Sequence, residues 1–269
     1  MNVILTGLLA IVLYLLATTL LAVRLSQGAV VSCCRRNPIL IIGLAAAGIH
    51  GGMLYPTLLT GGGLNLGFFN AISLIALTTA LLLMLAAFFE PVENLGIPVF
   101  PVAALSIALV LLYPAKHLVS GAASHWQLDF HILISLLAYS ILGLAAAQAL
   151  LLAIQDHHLH NRQPGGFIRA LPPLQTMENL LFQMIAVGFA LLTVSLLSGI
   201  LFLEDIFAQH LVHKTVLSIA AWVVFAVLLW GRWRFGWRGR GAIRWTIGGF
   251  VFLMLAYFGS KFVLELVLG

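Results

Sequence analysis

The sequence predicts an all-α, polytopic membrane helix bundle of about eight transmembrane helices. Composition comes first: 62% of the residues are hydrophobic and 8% charged, where soluble domains carry about 25% charged residues. Length comes second, because the apolar residues fall in runs near the ~20 needed to cross the hydrocarbon as a helix. These lie at roughly 3–23, 38–58, 68–89, 97–115, 131–154, 178–203, 214–230 and 245–267. Third, a spanning β-barrel needs apolar and polar residues to alternate, and runs such as Ala80 to Phe89 show no alternation. A single transmembrane domain over residues 1–269 is the expected organisation.

Orientation follows from the cations. Arg24, Arg35, Arg36, Arg162, Arg169, Arg232, Arg234, Arg238, Arg240 and Arg244 fall on one side, ten of the thirteen Lys and Arg residues. By the positive-inside rule that side is cytoplasmic, and both termini are then outside. Lys116, Lys214 and Lys261 fall toward the other face. The net charge of +5 therefore reports topology rather than nucleic-acid binding. Arg232 to Arg244 is interleaved with Trp233, Trp237 and Trp245, the pattern of an interfacial anchor. The first run is too long and too weakly flanked for a cleaved signal peptide. Cys33 and Cys34 are adjacent and on the predicted reducing side, which suits neither a disulfide nor redox chemistry.

Taken in order, the second run carries His50 about 18 Å from its cytoplasmic end at 1.5 Å per residue, followed by Gly51 and Gly52. An ionisable side chain at that depth is either a functional group or a neutral imidazole bonded to a neighbouring helix. The outer loop Thr60–Gly67 reads as flexible, and the inner turn Glu90–Gly96 reads as free of chemistry. Pro98 and Pro101 open the fourth helix, where missing amide donors matter least. His157, His158 and His160 cluster in the longest inner loop without the Cys or carboxylate pattern of a metal site. Thr176 reads as the cap of the sixth helix, with Glu178 favoured by its dipole. In the last helix Lys261 and Glu265 form an i,i+4 pair.

The candidate site lies on the outer side. His117, His125 and His131 precede or open the fifth helix, and His210 and His213, three apart, precede the seventh. Two imidazoles from facing helices can hold a planar haem, and Trp126, Phe130, Tyr139 and Phe207 could stack on it. A divalent-metal site would use the same imidazoles with Asp129, Glu204 and Asp205. Spacing leaves both open.

The segment His125-Trp126 through His131 to Ser135-Leu-Leu-Ala-Tyr139 resembles the outer haem-ligand segment of the cytochrome c assembly family, the haem-handling proteins of the CcsA, ResC and CcmC kind. Glu178 to Thr193 with Leu197-Ser-Gly-Ile200 is similar to the helix entering that family's tryptophan-rich loop, and Gly236 to Arg240 with Ala256-Tyr-Phe-Gly259 to its closing helix. The likeness is strongest over about residues 117–269. The family's Trp-Trp-Asp signature is replaced by Ala208 to Lys214, and its second outer histidine has no counterpart before Gly269. This fits the shorter YpjD/HemX-type branch.

The resemblance implies a multi-pass protein of the bacterial inner membrane that binds or moves haem b and supports cytochrome c assembly or haem homeostasis. His131 would be one axial ligand, His210 or His213 the other, His50 an inner or transit ligand, and Trp126 a stacking partner. Expected partners are haem, the lipid bilayer, and cytochrome c biogenesis or other membrane proteins. No enzymatic step is expected. Two alternatives stand beside this: a haem-free subunit that regulates or stabilises a membrane partner, and a b-type electron carrier. The carrier would need a second deep histidine opposite His50.

Overall fold

The computed structural model describes residues 2–27, 36–60, 63–113, 126–161, 170–202 and 212–259. Eight helices in these residues are long and apolar enough to span a membrane. They are built on α1 (Val3–Gln27), α2 (Arg36–Leu58), α3 (Phe68–Phe89), α4 (Gly96–Leu112), α5 (Trp126–His160), α6 (Leu174–Phe202), α7 (Val212–Phe235) and α8 (Arg240–Met254), the α4 span starting at Glu93 and the α8 span running to Gly259. A π-helical turn, Leu255–Gly259, extends α8. Every predicted run forms a helix in its described part; 114–115, 203 and 260–267 lie outside the described residues. The main differences are at α5, which begins five residues before His131 and runs six beyond Ile154, and at α6, which begins at Leu174.

Two compact units are present: Met1–Ala123 with Asn161–Pro172, and Ser124–His160 with Pro173–Gly269. In the first, α1 packs on α2 and α4, and α3 packs on α2 and α4, closing a four-helix ring. In the second, α5 packs on α6 and α8, and α7 on α6 and α8, closing a ring in the same cyclic order. Helices in hydrocarbon gain little from burying Leu against Leu, so small residues let backbones approach and large ones face lipid. The chain follows that rule. Ala10, Ala17, Ala46, Ala80, Ala103, Ala145 and Ala149 are buried, while Leu5, Ile41, Leu105, Leu133, Val187 and Leu201 are exposed.

Two sequence expectations are corrected in the first unit. The turn after α3 carries chemistry: Glu93 receives Arg24 at 3.5 Å and Arg36 at 3.6 Å. Arg36 also donates to the carbonyls of Ala87 and Glu90. The loop after α2, expected to be flexible, carries a short antiparallel pairing of Leu59–Thr60 with Gly63–Leu64. Buried Asn65 and Asn70 fix it, Asn65 accepting from the Gly67 amide and Asn70 donating to the Asn65 carbonyl.

In the second unit Glu178 caps a helix other than its own. The Gly239 amide, at the start of α8 and at φ 62°, donates to its carboxylate at 2.7 Å. Glu178 therefore sits where the N-terminal dipole of α8 favours an anion. Thr176 lies inside α6, so it is not the cap. Arg232 locks the turn before α8 by donating to the Trp237 carbonyl and the Asn179 side chain while lying 4.6 Å over the Phe182 ring. Arg240 pairs with Asp156 at 2.8 Å. Tyr139 donates to the Leu253 carbonyl, just before the π turn.

Close α5–α6 packing rests on Gly188, where a Cβ would come within 2.6 Å of the Leu142 side chain. Gly188→Ala should lower stability by about 2 kcal/mol through overpacking. Gly48→Ala, where a Cβ meets nothing within 4 Å, should not; thermal melts of the two variants in detergent decide this.

Candidate functional site

His131 lies in the second turn of α5, half-buried against the end of α6. Its Nδ1 is 2.8 Å from the Ser198 hydroxyl, which is itself buried. The same hydroxyl lies 2.8 Å from the Ser195 carbonyl; with its one proton donated there, His131 carries its own proton on Nδ1 and Nε2 presents a lone pair. The imidazole also hydrogen-bonds the Ser195 backbone. Further along the helix pair Ser135 donates to the His131 carbonyl at 2.6 Å, and the Ser135 and Ser195 hydroxyls share a hydrogen bond at 2.7 Å. Three serines thus stitch α5 to α6 around one imidazole.

One turn and a half before His131, Trp126 opens α5 and is 68% exposed, its ring 5.8 Å from Phe202 at the end of α6. His213 is exposed in the first turn of α7. Because α5 to α8 alternate in direction, His131, Ser198, Phe202 and His213 share one end of the second unit. Arg232, Glu178, Asp156 and Arg240 share the other, as their contacts require. His117, His125, His210, Phe207, Glu204 and Asp205 lie outside the described residues, as do Cys33, Cys34, Lys261 and Glu265.

His50 is placed differently. It is fully buried in the first unit, with Tyr14 of α1 at 3.4 Å from Nδ1 and Ser73 of α3 at 2.8 Å from Nε2. Ser106 of α4 lies 3.5 Å from Ser73 and donates to the Ala103 carbonyl. One side chain from each of four helices thus meets at the core, and both His50 nitrogens are engaged. His158 turns back to the Ile154 carbonyl of its own helix. Among the described residues no three His, Cys, Asp or Glu side chains group so as to hold a metal ion. Ser195 and Ser198 were given no role in the sequence; their i,i+3 spacing on the sixth helix was the available signal.

The fold and this site define a multi-pass membrane helix protein with a single oriented imidazole at one end of its second unit. The chain belongs to the cytochrome c assembly protein family, whose profile matches residues 39–268. That match takes in the first unit as well, beyond the region where the sequence resemblance is strongest. The inner membrane protein YpjD of Escherichia coli K12 is 35% identical over 209 residues, covering 76% of this chain and 77% of the relative. An uncharacterized 28.8 kDa protein of Azospirillum brasilense is 35% identical over 58% of each chain. The cytochrome c biogenesis protein CcsA of Gloeobacter violaceus is 29% identical over 34% of this chain and 28% of its own length. No solved structure matches. The chain is a multi-pass inner-membrane protein of the YpjD-type branch.

Two outcomes follow from these hydrogen bonds. In ¹⁵N-histidine NMR of the full chain, His131 should show the Nδ1–H tautomer, and Ser198→Ala should mix the two tautomers. His50→Ala should lower the melting point by the equivalent of about 3 kcal/mol, because it leaves a cavity and strands Tyr14 and Ser73.

Proposed function

We propose that this protein binds haem at the His131 end of its second unit and hands it on in support of cytochrome c assembly or haem homeostasis. The observation that carries the reading is the Ser198–His131 bond, which engages Nδ1 and, with the imidazole proton donated along it, leaves Nε2 to bind iron. Metal-bound histidines ordinarily donate their other ring N–H to an oxygen that orients them, and His131 already has that arrangement. The residues present fit haem on two further counts. Trp126 and Phe202 offer an exposed aromatic pair beside the ligand helix, and Ile200 and Leu201 add exposed apolar surface. His213 shares that end of the unit and supplies a second imidazole, with His210 the alternative. His50 has both nitrogens committed, which suits a packing role and not ligation.

Haem supplies an iron that accepts axial imidazoles; the protein orients His131 and shields the macrocycle from water. Coordination, burial and exchange suffice, so we assign no enzymatic step. The basic end of the second unit, with Arg232, Arg234, Arg238, Arg240 and Arg244, belongs on the cytoplasmic side by the positive-inside rule. That puts His131 at the outer face and both termini outside.

Pyridine haemochrome spectra of the purified chain test this reading. Wild type should carry stoichiometric haem b, His131→Ala should fall to background, and His50→Gln should keep its haem. Ser198→Ala should weaken haem affinity about tenfold. Absence of haem from wild type after supplementation would sink the proposal and favour a haem-free partner subunit. Haem retained by His131→Ala would remove the ligand assignment.

A further inference from the structure

A groove of about 410 Å³ opens on the first unit between α2 and α3, far in character from the histidine sites. Arg36 and Asn37 form its mouth, and Leu40, Ile41, Leu44 and Phe88 its walls. The mouth is cationic for a reason internal to the fold. Arg24 and Arg36 share the single carboxylate of Glu93 through the same oxygen, Oε1. Two guanidinium groups against one carboxylate leave one positive charge uncompensated among them. Hydrogen bonding is also incomplete there: among the described residues, Arg24 Nη1, Arg36 Nε and Glu93 Oε2 are buried without a hydrogen-bond partner.

A surplus cation over an apolar trough selects an amphiphile with an anionic head. Below the mouth, Ile41 and Phe88 are exposed and offer only hydrocarbon. Asn37 adds an amide donor beside the guanidinium, as a phosphate oxygen requires. We infer that this groove holds one anionic phospholipid, its phosphate at Arg36 and Asn37 and an acyl chain along Leu40, Ile41, Leu44 and Phe88. The site is independent of the haem reading, because it lies wholly on the first unit. Arginine suits the role better than lysine, since its planar fork can keep one arm on the Ala87 carbonyl and present another to phosphate.

Native mass spectrometry of the full chain from detergent tests this, with palmitoyl-oleoyl phosphatidylglycerol and the matching phosphatidylcholine added in parallel. Wild type should retain one phosphatidylglycerol in preference to phosphatidylcholine. Arg36→Gln removes the charge while leaving Glu93 its Arg24 partner, and should weaken retention about fivefold. Ile41→Trp fills the trough without touching the charges. Ile41 is 66% exposed, so that variant should fold normally and still lose the lipid. Equal retention of the two lipids by wild type, or phosphatidylglycerol held undiminished by Ile41→Trp, would overturn the proposal.

Discussion

Hydrocarbon offers no hydrogen bonds, so each polar group that this chain carries into the bilayer must find its partner within the protein. That constraint organises the structure more than any apolar contact does. It explains why two groups of polar side chains in the core occur in chains. Tyr14, His50, Ser73 and Ser106 form one, and His131, Ser198, Ser195 and Ser135 form another. In each, a serine from a neighbouring helix answers a histidine, and the bond ties two helices that apolar packing alone would leave free to slide.

The two chains differ in one respect that matters chemically. Around His50 both ring nitrogens face protein groups, and the network closes on itself. Around His131 one serine meets Nδ1 and the ring is only half-buried. That contrast, beside membership of the cytochrome c assembly family, is what the role proposed for His131 rests on.

Much of the fold was legible in the sequence because length and hydropathy dictate spanning helices directly. The helix starts were less so. Trp126 and Asp129 look like loop residues beside the apolar run, yet they begin α5, since an interfacial turn of helix satisfies its backbone as well as a loop does. Of the site, His131 was visible as an imidazole out of place, but its tautomer depends on Ser198, which is sixty-seven residues away. Glu93 was read as inert because its partners Arg24 and Arg36 come from other helices, α1 and α2. Glu178 was assigned to its own helix when it serves another, because capping by a distant carboxylate leaves no local pattern.

The length of α5 has its own effect. Its 35 residues measure about 52 Å, against roughly 30 Å of hydrocarbon. Even at a steep tilt of about 40° the bilayer would swallow only some 26 of them. About nine residues must therefore stand among headgroups or in water, shared between a Trp126–Asp129 end and an Asp156–His160 end that are suitably polar. His131 stands five residues in from the first of these ends, so an even split of the excess sets it near the depth where lipid gives way to water. An insoluble flat molecule could reach it by travelling along the membrane surface, without a channel through the protein and without crossing the bilayer.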